Sequence, residues 1–235
     1  FERRHANYKI YSQPFFDAIS EYFDESKILR SQDNYVVQWG DPNADNEDAK
    51  LLGKAQTRLR TEFYRRNKEL NYTPIISRDA YANNVGFVDG FPVASDGDKA
   101  WLAHCYGMVG VSRGMAEDSG NGSGLYIVTG HAPRHLDLNV TLVGRVLKGM
   151  ELLSSLPRGT GPLGFYETPQ EYVPIRSMLS AQEGEVNINV MRTNSNEFKQ
   201  HVIKRTHRTE DWFLEPTGKI ELCNVAVPLR LAKNQ

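Results

Sequence analysis

The chain has 235 residues, enough for one large domain, or a domain with an appended subdomain, around a sizeable apolar core. Lys and Arg number 28 against 29 Asp and Glu, a net charge of -1, so no whole-chain field recruits nucleic acid or an anionic membrane. The apolar runs, such as 125–128 and 141–143, fall far short of the ~20 residues that cross a bilayer, so membrane insertion is not expected.

In chain order, residues 3–23 read as two helices, the second starting at Pro14, where a missing N–H costs nothing. Ile28 to Gln38 reads as two strands separated by the turn residues Gln32, Asp33 and Asn34. Residues 42–54 are a polar, acidic loop, 55–70 a strand edge or short helix, and 71–100, dense in Asn, Gly, Asp and Pro, mostly loop. Strand signals return at Met108 to Val111, Leu125 to Thr129 and Val140 to Val146. A helix follows at 148–156, stopped by Pro157 and Gly159, then a closing strand at 173–179. A helix at 195–209 and a strand at 219–229 form a C-terminal appendage. This pattern favours a mainly β fold with helices: a closed or nearly closed β-barrel capped by helices, plus an α/β appendage.

The string Y-F-D-E-S-K-I-L-R-S-Q-D-N-Y-V-V-Q-W-G-D-P at 22–42 resembles the cyclophilin segment F-Y-D-G-x-x-F-x-R-V-x-x-x-F-x-x-Q-G-G-D-P. Gly107 to Gly114 resembles that family's G-x-x-x-M-A-N-A, and Asn121-Gly122-Ser123 the start of N-G-S-Q-F-F-I, which sets Tyr126 on the pocket Phe. His135-Leu136-Asp137, Leu142 to Val146 and Gly149-Met150 resemble W-L-D, V-F-G-x-V and G-M. Order and spacing agree across 22–156, apart from an insertion at about 43–106 and two extra residues near 115–120. The domain plan this implies is a cyclophilin-like isomerase domain at 1–180, with a C-terminal extension, 181–235, packed on it.

The resemblance implies a peptidyl-prolyl cis-trans isomerase that assists protein folding without a cofactor or a metal. Rotation about X-Pro faces a barrier of ~18–20 kcal/mol and takes tens of seconds unaided. As the bond twists, the prolyl nitrogen gains a lone pair that a fixed donor stabilises only in the transition state. Reaching milliseconds needs about 10⁴-fold, roughly 5–6 kcal/mol. One charge-assisted hydrogen bond supplies only ~1.5–3 kcal/mol, so the site must also exclude water and fix the substrate. Arg30 is the expected electrostatic catalyst and Gln38 the group that orients the substrate backbone. An isolated Arg and Gln would be read as strand surface; the register of the other blocks reverses that reading.

Tyr35, Val36, Tyr126 and Leu136 are implied to line the proline pocket, with His135 beside them, and the backbone at Ser112 and Arg113 to pair with substrate. Tyr35 faces away from Val36 in an ideal strand, so the preceding turn or a bulge must re-aim it. Gly124 replaces a side-chain amide, His135 the usual Trp or Phe, Val140 a frequent His and Val36 a Met. These departures imply a weaker or narrower isomerase that binds cyclosporin poorly. The other reading is a catalytically weak cyclophilin-like binding module or chaperone that grips Pro-containing segments.

Phe1 to Asn7 resembles the helix that follows two strands absent here; either the chain is truncated, the favoured reading, or 181–235 partly covers the exposed sheet edge. Cys105 and Cys223 lack zinc-ligand spacing and are either a disulfide or two buried thiols. The expected partners are proline-containing peptides and unfolded or folding proteins, not nucleic acid, and the protein is expected to be a monomer. The insertion and extension resemble a divergent bacterial branch exported to the periplasm, with a signal peptide outside this sequence; the alternative is the cytoplasm.

Overall fold

The computed structural model describes residues 22–52, 56–178 and 188–231, and the helices expected at 3–23 lie outside the described residues apart from their last two positions. The described residues divide into two compact units. One comprises those within 1–62, 106–133 and 139–182; the other those within 63–105, 134–138 and 183–235.

The first unit is built on β1 (Lys27–Ser31), β2 (Val36–Gly40), β8 (Met108–Val111), β9 (Leu125–Val128), β10 (Leu142–Arg145) and β11 (Val173–Pro174). They form one antiparallel sheet in the order β10-β8-β9-β2-β1-β11. The turn expected at 32–34 joins β1 to β2: the Gln32 N–H donates to the Val36 carbonyl at 2.9 Å, and Asn34 takes a φ of 50°. Val37 and Trp39 alternate onto one face with Ile28, Val111, Leu125 and Ile127, forming the core with Phe23 and Tyr166. Helix α1 (Met150–Ser154) starts after Gly149, whose φ of 94° suits glycine. Met150, Leu153 and, just beyond, Leu156 pack onto that core.

The expected closed barrel is not found. Among the described residues the sheet is open, with β10 and β11 at its edges and no pairing between them. The closing strand read at 173–179 shrinks to β11, where Pro174 has no N–H to extend a ladder.

The second unit corrects the reading of 71–100 as loop. Here β3 (Arg65–Arg66), β4 (Thr73–Ile75), β5 (Asn84–Val88), β6 (Phe91–Asp96) and β7 (Lys99–Leu102) form a sheet in the order β3-β7-β6-β5-β4. The Gly and Asp that suggested loop are its hairpin turns. Val88 faces Phe91 across Asp89-Gly90, with φ values of 50° and 84°, and Asp96 faces Lys99 across Gly97-Asp98. The ambiguous 55–70 stretch resolves into β3 and a 3-10 turn at Asn67–Glu69.

Helix α2 (Asn196–Thr206) falls within the expected 195–209; Ser195 caps it by accepting from the Phe198 N–H at 3.1 Å. Phe198 packs edge-on against Phe87 of β5 at 5.1 Å. The strand expected at 219–229 is a 3-10 turn, Leu222–Asn224, followed by β13 (Leu229–Leu231), which pairs with β12 (Ile188–Val190).

Cys105 and Cys223 are disulfide-bonded, with Cα atoms 5.0 Å apart and 118 positions apart in sequence. A loop of that length gives about 4–5 kcal/mol in the chain-entropy picture. Inside this unit Arg134 forms a two-pronged pair with Asp79 at 2.7 and 2.8 Å and donates from Nε to Asp137 at 2.9 Å. Asp137 also accepts from the Trp101 indole at 3.1 Å and the His104 backbone N–H at 2.9 Å. Burial alone would lower Arg134 and raise Asp79, but the hydrogen bonds and charges of Asp79 and Asp137 on Arg134, and of Arg134 with the Tyr81 and Ala82 backbone N–H groups on Asp79, outweigh it, so Arg134 is raised and Asp79 lowered.

Two outcomes follow. A thiol count on unfolded, unreduced protein gives none and after reduction gives two; two without reduction would remove the bridge. Arg134→Ala, which removes the cation paired with two buried carboxylates, lowers unfolding stability by about 3–5 kcal/mol in denaturant melts. The share contributed by Asp79 is present above the ordinary Asp value of about 3.9 and is lost as pH falls through its lower folded value.

Candidate active site

Arg30 reaches the site through one irregularity. In a regular strand Ile28 and Arg30 share a face, and Ile28 belongs to the core. The register slips between them: Ile28 pairs with Trp39, but Arg30 pairs with Gln38, so Leu29 is the extra residue of a β-bulge. The bulge turns Arg30 onto the face opposite the core. There it opens a single row of directly paired positions, Arg30, Gln38, Tyr126 and Gly110, running over β1, β2, β9 and β8. Val36, paired with Val128, shares this face one step along.

The side chains confirm the row. Arg30 Nη1 donates to Gln38 Oε1 at 3.4 Å, Nη2 to Gln32 Oε1, and Nε to the Leu163 carbonyl at 2.7 Å. Three of the guanidinium's five N–H bonds are thus engaged, all holding its plane. It also packs against the rings of Tyr35 at 5.2 Å and Phe165 at 5.0 Å. Burial lowers Arg30 below its ordinary value, with Tyr35 acting the other way, and burial raises the Tyr35 hydroxyl. The guanidinium stays charged and is partly stripped of water, which strengthens what it does to a nearby lone pair.

Tyr126 is only 5% exposed, and its ring lies over Gly110: a Cβ there would overlap the ring. The Tyr35 ring, just after the 32–34 turn, lies 5.2 Å from the Arg30 guanidinium, and the bulge falls at Leu29, where it re-aims Arg30. Ser112 lies beyond Gly110 on the same face, and its N–H donates to the Gly124 carbonyl at 2.9 Å. Its hydroxyl fills the volume that a Cβ on Gly124 would take. Arg113 is tied to its own surroundings through the Asn139 and Gly114 carbonyls, both at 2.9 Å.

The structure therefore brings together Arg30, Tyr35, Val36, Gln38 and Tyr126 on one sheet face, with Ser112 alongside. His135, exposed, and Leu136, half-buried, belong to the second unit, on the 3-10 turn Ala132–Leu136. Sequence reasoning missed Gln32, Gly110, Leu163 and Phe165 as site residues. Only Gly110 had a visible signal, a glycine inside a strand, which marks the close approach of another group.

A charged, immobilised donor thus lies beside an amide side chain and a buried ring on one sheet face. The model of the cyclophilin-type peptidyl-prolyl cis-trans isomerase family matches residues 9–179, and the chain belongs to that family. A crystal structure of cyclophilin AquaCyp293 from Hirschia baltica shares the fold, with a TM-score of 0.65, 22% identity, 90% of this chain covered and 79% of the other. A Cryptosporidium parvum cyclophilin-type isomerase, solved in the presence of the dipeptide Ala-Pro, is more distant, with a TM-score of 0.44, 12% identity and coverages of 76% and 89%. No curated protein matches the chain in sequence.

Gly110→Ala forces the Tyr126 ring off the sheet. Its expected cost is about 1–3 kcal/mol in a denaturant melt, together with a changed Tyr126 ring signal in NMR spectra.

Proposed function

We propose that the protein catalyses rotation about X-Pro bonds in unfolded or folding proteins. The observation that carries this reading is the row Arg30, Gln38 and Tyr126, in which a fixed cation adjoins an orienting amide and an apolar ring. Family membership supports the same reaction.

In this mechanism the proline ring rests against Tyr126, Val36 and Tyr35, and the Gln38 amide holds the carbonyl side of the substrate. As the C–N bond twists, its conjugation is lost and the nitrogen becomes pyramidal. An N–H of Arg30 then donates to the new lone pair, an interaction the planar ground state does not offer. Because the guanidinium is already held by Gln32, Gln38 and the Leu163 carbonyl, little reorganisation is needed during the reaction. No proton is transferred and no bond is broken, so no cofactor enters. Gly124, with the Ser112 hydroxyl in its space, gives a thinner peptide-binding rim and hence a slower or narrower enzyme.

The Cys105–Cys223 bridge supports an oxidising compartment, and we place the protein in the periplasm as a monomer.

The test is the cis-to-trans relaxation of an X-Pro peptide. Wild type accelerates it, Arg30→Ala lowers kcat/KM by about a hundredfold, and Arg30→Lys fails to restore the rate because an ammonium lacks the planar fork. Background rates for wild type and Arg30→Ala alike would sink the enzymatic reading and leave a module that only binds Pro-containing segments.

A further inference from the structure

The loop from Gly159 to Tyr166 runs alongside β1 and is fastened to it at both ends. The Gly159 N–H donates to the Ser31 carbonyl at 2.9 Å and the Tyr166 N–H to the Leu29 carbonyl at 2.9 Å. Between these bonds Arg30 and Phe165 form an isolated antiparallel bridge.

Leu163 in this loop has φ 58° and ψ 18°, a left-handed conformation that an L side chain disfavours. Packing does not hold it there, since its side chain is 67% exposed. Backbone bonds do: the Gly164 N–H reaches the Gly161 carbonyl at 3.1 Å, and the Phe165 N–H the Pro162 carbonyl at 3.2 Å. Gly164, with a φ of 76°, presses so closely that a Cβ would come within 2.7 Å of Gln32 Cα. This conformation sets the Leu163 carbonyl 2.7 Å from Arg30 Nε and the Phe165 ring 5.0 Å from the guanidinium. A disfavoured backbone kept beside a reacting group is where strain has a use.

We infer that Phe165 is a positioning residue for Arg30: its ring and the Leu163 carbonyl hold the guanidinium in the orientation in which Nη1 reaches Gln38. This role rests on the isomerase reading for its catalytic effect, though not for its effect on Arg30 itself. Phe165 acts through the face of its ring, so a side chain of similar bulk without a π-system does not replace it.

The experiment compares wild type, Phe165→Leu and Phe165→Tyr by kcat and KM on an X-Pro peptide. The hydrogen exchange rate of the Arg30 Nε–H is read alongside by ¹⁵N NMR. Phe165→Leu is expected to lower kcat about three- to tenfold with KM within about twofold, and to speed Nε–H exchange by a similar factor. Phe165→Tyr, which restores the ring face, brings both back toward wild type. A rise in KM alone would make the ring a substrate contact and overturn the inference. So would a fall in kcat with exchange unchanged, or no change in either. If wild type shows no catalysis, the isomerase reading falls and Nε–H exchange alone decides: faster in Phe165→Leu upholds the positioning role, and unchanged overturns it.

Discussion

One extra residue, Leu29, decides which side of the sheet Arg30 occupies. Without that bulge, strand alternation would aim a guanidinium into the core that holds Ile28, Val37 and Trp39, where an unpaired cation is prohibitively costly. With it, Ile28 keeps its place inside and Arg30 joins Gln38 and Tyr126 outside. The cluster of Ile28, Val37, Trp39, Leu125 and Ile127 and the candidate chemistry thus sit on opposite faces of the same strands.

The sheet that carries the site is also what keeps it rigid. Gln38, Tyr126 and Gly110 are cross-strand partners whose backbones are hydrogen-bonded in register, so their side chains inherit fixed spacing from the ladder. The ring of Tyr126 can lie flat only because Gly110 offers no Cβ. Arg30, long and flexible by nature, gains its fixed geometry from partners on two sides of β1, the 32–38 hairpin and the 159–166 loop. A preorganised cation of this kind answers to charge that develops during a reaction more than to a ligand at rest.

The sequence made part of this legible. Arg30, Tyr35, Gln38 and Tyr126 stood in motif register, and the turn at 32–34 was written in its residue types. Phe165 was not readable as a site residue: Leu163, which fixes Arg30 from the same loop, lies 133 positions away, and no periodicity encodes such a meeting. Gln32, two positions from Arg30, was read only as a turn residue. The sheet of β4 to β7 was missed for a different reason. Asp89-Gly90 and Gly97-Asp98 are hairpin turns, and counting them by density rather than by their spacing between apolar pairs made strands look like loop. The open sheet could not be told from a closed one, because closure is a property of which edges meet.

The order of segments along the chain has a bearing on how the second unit is made. Its hairpins β4 to β7 are local and can form as soon as they are synthesised, whereas α2, β12 and Cys223 come only after every strand of the first unit. Until then the face of Phe87 that later meets Phe198 has no cover, and Cys105 has no native partner. Oxidation of that pair therefore follows synthesis of every strand of the first unit. A nascent chain stalled before residue 223 would carry an unpaired thiol and an uncovered aromatic surface, the features that draw quality control.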